Sequence, residues 1–244
     1  MARIDVVEAV DVSAPTLVEG FPGVGLVGKI AADYLVDSFG MVHHGNVHCD
    51  DLPPVVGYGE ADPALRTPVR LYADDERDLL VLQSDVPVAP GAAGSVANCL
   101  GESIDETVTA LYLSGIPSER DEAPPGVYGV GTGDVADRLA EVGLEAPPEP
   151  GLVSGPTGAL LARALERGER AFGVVAESDP QFPDPAASRA VISEAIEPLA
   201  GVEVPTDDLV EHASEIRQAR ERLARRMQEA DSDSSRAQSL GMYQ

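Results

Sequence analysis

The spacing most suggestive of chemistry lies near the N-terminus, where Gly23, Gly25 and Gly28 follow a G-x-G-x-x-G pattern between a strand-like run and a helical one. Glycines so placed can let a backbone approach a pyrophosphate at a helix N-terminus, with a ribose-binding acid sought about twenty residues further on. Asp50 and Asp51 lie in that region, but they end a run that continues into Leu52-Pro53-Pro54 in a chain with 42 acidic residues. The same glycines have a structural use: they tighten a strand-to-helix turn and let the helix approach the sheet, although each interior helical glycine costs about 1 kcal/mol against alanine. Gly20, Pro22, Gly23, Gly25 and Gly28 are therefore expected to form a structural turn, and no cofactor is expected.

His43, His44, His48, Cys49 and Asp50 cluster in the sequence and raise the question of a metal. On a strand, His43 and His44 face opposite ways, and His44 and His48 stand about 13 Å apart along one face. Ordinary strand histidines are the expectation, with no metal site. Cys49 and Cys99 match no metal or redox spacing and read as buried thiols. In α/β sheets ligands gather at strand C-terminal ends. The loops there are expected at residues 84–91, 114–118, 129–134, 154–158 and 177–184, with Asp179 and Asp184 as possible general bases. The chain has no Gly-x-Ser-x-Gly elbow, no P-loop and no basic cluster suited to phosphate, so no catalytic residue is assigned.

The elements that must position these residues alternate. Runs rich in Val, Leu, Ile and Tyr predict strands at 4–12, 16–21, 42–49, 55–59, 69–72, 79–83, 107–113, 126–131 and 171–176. Helical patterns fit 26–39, 92–105, 135–142, 157–167 and 185–200. In the first helix, Leu26, Ile30 and Tyr34 form one apolar row and Val27, Ala31 and Leu35 the next. This alternation predicts an α/β core over residues 1–204, with a largely parallel or mixed sheet covered by helices. Residues 205–230 read as a long charged C-terminal helix, with Leu209, Ala213, Ile216, Arg220, Leu223, Met227 and Ala230 in heptad-like steps. Residues 231–244, rich in Ser, Asp, Gln and Ala, read as a flexible tail.

Charge excludes several functions. The chain carries 42 acidic and 17 basic residues, a net charge of −25, and a single lysine, Lys29. Nucleic acid and anionic membranes are not expected as partners, because both are held by Lys and Arg displacing counterions. The acids are spread along the chain, as in Asp74, Asp75, Glu119, Asp121, Glu141, Glu145, Asp207 and Asp208. That spread fits a halophilic surface, hydrated by carboxylates where salt screens their repulsion. No run of 18 apolar residues and no secretory pattern at the N-terminus is present, which predicts a cytoplasmic protein.

One long stretch resembles a known family. Pro15-Thr-Leu-Val-Glu-Gly-Phe-Pro-Gly-Val-Gly-Leu-Val-Gly-Lys-Ile-Ala is similar to the N-terminal signature of the proteasome assembly chaperone family, and the chain looks like a PAC2-like, haloarchaeal-type archaeal member. Ser154-Gly-Pro-Thr-Gly-Ala-Leu-Leu and Pro183-Asp-Pro-Ala-Ala-Ser-Arg-Ala resemble the same family. The resemblance implies a nucleoside phosphorylase-like architecture and a homo-oligomer. It also implies a protein that binds proteasome α-subunits or the core particle without ATP and is not an enzyme. The terminal Met242, Tyr243 and Gln244 resemble the hydrophobic-Tyr-X (HbYX) motif of proteasome activators, which enters a cleft between α-subunits. In that reading the terminal carboxylate pairs with a lysine, the Tyr ring fills an apolar slot, and Met242 anchors behind it. The implied function is assembly chaperone or ATP-independent activator; the alternative is a small-molecule enzyme, phosphorylase- or hydrolase-like, in the same fold.

Overall fold

All but one of the expected strands find their partners in one sheet; the run at 55–59 pairs elsewhere. The structure is a computed structural model that describes residues 3–59, 62–102, 108–118, 124–133, 135–206 and 209. Eight strands lie side by side: β1 (Arg3–Val6), β2 (Thr16–Gly20), β3 (Val42–His48), β6 (Val69–Asp74), β7 (Leu79–Ser84), β8 (Thr109–Pro117), β9 (Val127–Gly131) and β10 (Ala171–Ser178). Their order is β1-β3-β6-β7-β2-β8-β10-β9, and a separate hairpin pairs β4 (Gly57–Gly59) with β5 (Asp62–Arg66). The centre of the sheet is parallel, from β7 through β2 and β8 to β10. The flanks are antiparallel, β1-β3-β6-β7 on one side and β10-β9 on the other. The sheet is therefore mixed, and its parallel centre is buried on both faces, as β7 shows with every residue buried.

Helices cover both faces. α1 (Val27–Phe39), α3 (Val135–Glu141) and α5 (Pro185–Val191) lie on one, and the last continues through a π-helical turn at Ile192–Ile196 into α6 (Glu197–Ala200). Val18, Val27, Ala31, Leu35, Leu111, Val174, Ile192 and Leu209 build the core on that side. α2 (Ala93–Glu102) and α4 (Gly155–Arg167) cover the other face, over Leu17, Phe21, Leu71, Leu82, Ala110 and Leu160. Pro156 and Pro185 sit in the first turns of their helices, where a missing N–H is harmless. Gly40, Gly168 and Gly201, all at positive φ, close α1, α4 and α6.

The turn between β6 and β7 fixes the entry to the parallel centre. Asp78, at φ 50°, accepts the Ser13 and Ala14 amides on its carboxylate at 2.8 and 3.0 Å, and its carbonyl accepts the Thr16 amide at 3.0 Å.

Three local expectations are corrected. Cys49 and Cys99 are not free thiols: they form a disulfide with a Cα–Cα distance of 6.1 Å, tying the end of β3 to α2. β1 stops at Val6 because Val7 and Glu8 both turn their amides onto the His44 carbonyl, and Val10 onto His44 Nδ1. Residues 62–66, left outside the expected strands, form β5, where a short two-stranded edge tolerates proline. Of the expected C-terminal helix and tail, only 205, 206 and 209 fall within the described residues; Met242, Tyr243 and Gln244 lie outside them.

Candidate functional site

The glycine turn sits at the C-terminal end of β2, where the loops after β7, β8 and β10 also emerge. Gly20, Gly25 and Gly28 are packed against protein. A Cβ at Gly20 would stand 2.2 Å from the Ala32 Cβ, so only glycine lets α1 lie this close to β2. Gly25, at φ +60°, packs on Ser178 of β10, and its carbonyl accepts the Asp184 amide at 2.8 Å. A Cβ at Gly28 would meet the Leu113 Cβ at 3.3 Å, whereas Gly23 has open space around it. Pro22 is half-buried between them. The Val24 carbonyl lies against Gly115 of β8, and Ser188 of α5 donates to the Val27 carbonyl at 3.2 Å.

A carboxylate that sequence reasoning passed over lies under this turn. Glu19, fully buried on β2, accepts hydrogen bonds from the Phe21 amide (2.8 Å), the Leu113 amide (3.3 Å) and the Thr157 hydroxyl (3.2 Å). It thereby joins β2, β8 and the first turn of α4. Burial outweighs those three donors and pushes its pKa up to about 7. The signal was present in Thr-Leu-Val-Glu-Gly: an acid at an inward position of a strand buried on both faces.

On the α1 side of the same end, polar groups close into a ring. Lys29 donates to Asp33 at 2.6 Å and to Asp85 at 3.1 Å. Arg70 pairs with Asp85 at 2.7 Å and donates to Gln83 at 2.6 Å, and Gln83 donates back to Asp33 at 2.6 Å. Burial alone would raise the Asp85 carboxyl, but hydrogen bonds from Arg70 and Lys29 outweigh it and hold the group below its usual range. Arg70 also reaches the Tyr72 hydroxyl and the Thr67 carbonyl, so its donors are taken up within the fold.

The other residues singled out by spacing scatter. His43 stacks on Tyr72 with ring centroids 5.3 Å apart, and burial, then the Arg70 and Arg66 charges, hold its ring below the usual value. His44 accepts from the Val10 amide, and His48 pairs with Asp5 at 3.2 Å, so the three rings do not converge. Asp184 caps α5 through the Ala187 amide and also accepts from Asp179 N, while Asp179 accepts from the Gln181 and Phe182 amides. Both carboxylates shape the loop before α5. Away from this edge, a cavity of about 900 Å³ is lined by Tyr128, Glu145, Glu194, Glu197 and Glu203 among others, with no basic side chain in its lining.

A mixed α/β sheet with helices on both faces, its parallel strands ending in a glycine turn packed against β8 and β10, defines the class of fold. The chain belongs to the PAC2 family, whose profile matches residues 17–224. An uncharacterised protein of Methanocaldococcus jannaschii, MJ0106, is 27% identical over 214 residues, covering 86% of this chain and 85% of its own length. Among solved structures, Pyrococcus furiosus PbaA, described as an archaeal homologue of proteasome-assembly chaperone, is similar with a TM-score of 0.78 at 24% identity over 99% of both chains. Pyrococcus furiosus PbaB, described as an archaeal proteasome activator, is similar with a TM-score of 0.77 at 23% identity, covering 91% of this chain and 98% of its own.

Proposed function

We propose that this chain binds the proteasome as an assembly chaperone or ATP-independent activator, by docking Met242, Tyr243 and Gln244 into clefts between α-subunits of the ring. Membership of the PAC2 family across most of the chain is the observation that carries this reading. The fold shared with PbaA and PbaB supports it, as do the three terminal residues. With Gln244 as the terminus, its free carboxylate pairs with a lysine, Tyr243 fills an apolar slot and Met242 anchors behind it. A single such tail binds weakly, so a homo-oligomer presenting several gains affinity through effective concentration. The action is binding and not turnover.

The test is co-purification of proteasome core particle with the intact chain and with a version ending at Gly241. The intact chain is expected to retain the particle and the shortened one to lose it; equal retention would refute tail docking. Peptide hydrolysis by the core particle, with and without the intact chain, separates the two roles. Stimulated hydrolysis marks an activator, and unchanged hydrolysis with retained binding marks an assembly chaperone.

A further inference from the structure

Cys49 and Cys99 are the chain's two cysteines, and the bond between them lies within reach of solvent, each residue being only half-buried. It stands at one root of a long connection. β3 and β6 are antiparallel neighbours, yet the chain takes residues 49–68 to pass from one to the other and carries β4 and β5 on the way. The two roots are held differently. At the far root the Thr67 hydroxyl lies 3.0 Å from Asn46 Oδ1 and 2.8 Å from the Val69 carbonyl, and the Thr67 carbonyl accepts from Arg70 at 2.7 Å. At the near root the Leu52 amide donates to the Cys49 carbonyl and the Val55 amide to the Pro53 carbonyl, bonds that stay within the connection, while the disulfide ties it covalently to α2. Leu52 rests on the core cluster under α2, but Val55, Val56, Tyr58 and Leu65 are exposed. β4 and β5 pair with one another and, among the described residues, with no strand of the main sheet.

We propose that the Cys49–Cys99 disulfide is a reversible latch: closed, it fixes the near root of the β4–β5 hairpin against α2, and reduced, it lets the hairpin swing about its root at Thr67 while the sheet and α2 stay in place. A dithiol supplies the electrons. One of its thiolates attacks one sulfur of the pair, forming a mixed disulfide and expelling the other sulfur as a thiolate; its second thiol then closes on the first and leaves as a cyclic disulfide. Two electrons and two protons pass to the chain, which ends with two thiols, and a small disulfide reverses the exchange. The open state is accommodated where it forms, because the Cys99 sulfur lies 3.5 Å from the His48 carbonyl, an acceptor for the thiol proton. α2 has anchors besides the bond: Val96, Ala97 and Leu100 are buried, and the Arg163 guanidinium of α4 lies over Gly101. β3 is held by its own pairing with β6, from Val42 opposite Ala73 to Asn46 opposite Arg70. The hairpin, with its exposed apolar side chains, is the part with least packing to hold it once the latch opens.

The inference goes beyond the tail reading and is tested apart from it, by cleavage and not by proteasome binding. The full chain is equilibrated without denaturant in graded mixtures of reduced and oxidised dithiothreitol, and the thiols in acid-quenched samples are counted by alkylation and mass. Both thiols are expected to appear together in the folded chain and to disappear again on re-oxidation. Samples freed of dithiothreitol under argon are then given chymotrypsin, which has a site after Tyr58 on the hairpin and another after Leu152, 99% exposed in the loop before α4. The reduced chain is expected to be cut after Tyr58 at least about tenfold faster than the oxidised one, with the cut after Leu152 unchanged. Cys49→Ser with Cys99→Ser should be cut at the reduced rate whether or not it has met the reductant. A bond that opens only in denaturant, or that fails to close again, overturns the latch, as does a Tyr58 rate that reduction leaves alone. So does a cut after Leu152 that rises in step with the cut after Tyr58, which would make the bond a support of the whole fold.

Discussion

The two faces of the sheet are secured differently. On the α2–α4 face the ties are internal: a disulfide from β3 to α2, and a buried carboxylate gathering donors from β2, β8 and α4. Water meets little charge on the outer side of α2. On the α1 face the packing is apolar, and the polar ring of Lys29, Asp33, Gln83, Arg70 and Asp85 closes its end in partial contact with solvent. An acidic chain can thus keep the outer side of α2 free of charge where a disulfide and a buried carboxylate tie together the elements beneath it.

Three experiments test this contrast. The largest effect is expected from the disulfide, which closes a loop with a sequence separation of 50. Its loss should cost about 4 kcal/mol on the chain-entropy account. Urea denaturation of the wild type with and without reductant, beside Cys49→Ser with Cys99→Ser, measures it. Identical midpoints in all samples would mean that the α2 face is not clasped.

Next comes Glu19. Its carboxyl is neutral in the folded chain up to about 7 and ionised in the unfolded chain from about 4.5, so rising pH favours unfolding between those values. Below that window there is no effect; above it the loss is complete, about 3 kcal/mol. Glu19→Gln should remove this slope from a series of denaturation midpoints between pH 4.5 and 8, and parallel slopes in the two proteins would show that the group is not held neutral. The smallest effect belongs to the α1 face. Lys29→Met should cost under about 1 kcal/mol, since Asp33 and Asp85 are more than a third exposed. A loss as large as that at Glu19 would erase the distinction between the faces.

The parallel centre was legible in the sequence because its strands are continuous apolar runs between helical patterns, and β2, β7 and β10 begin where the runs begin. The glycine turn was legible for the same reason, lying between a strand and a helix. What escaped was whatever depends on residues distant along the chain. The Cys49–Cys99 bond needs β3 and α2 to meet, which no spacing announces. β1 was read too long because its hydrophobic pattern continues past Val6, while the backbone there is diverted onto His44. The stretch 185–200 was read as one helix and is continuous, but with a π-helical turn at Ile192–Ile196 that leaves Ile192, Ala195 and Ile196 all buried. At the site, Glu19 stood in plain view as an acid inside an apolar run, yet its three donors come from residues 21, 113 and 157.

The Asp78 turn decides which side chains of β2 meet which layer of helices. A strand displaced by a single position exchanges its inner and outer residues. By gripping the amides of Ser13, Ala14 and Thr16, one carboxylate and one carbonyl act as an index pin for β2 against β7. Were the pin to slip by one residue, Glu19 would point toward α1, Val18 would take its place beneath Thr157, and the threonine hydroxyl would face a methyl group. The alignment of a strand at the buried centre of the sheet is thus set by an aspartate in a turn.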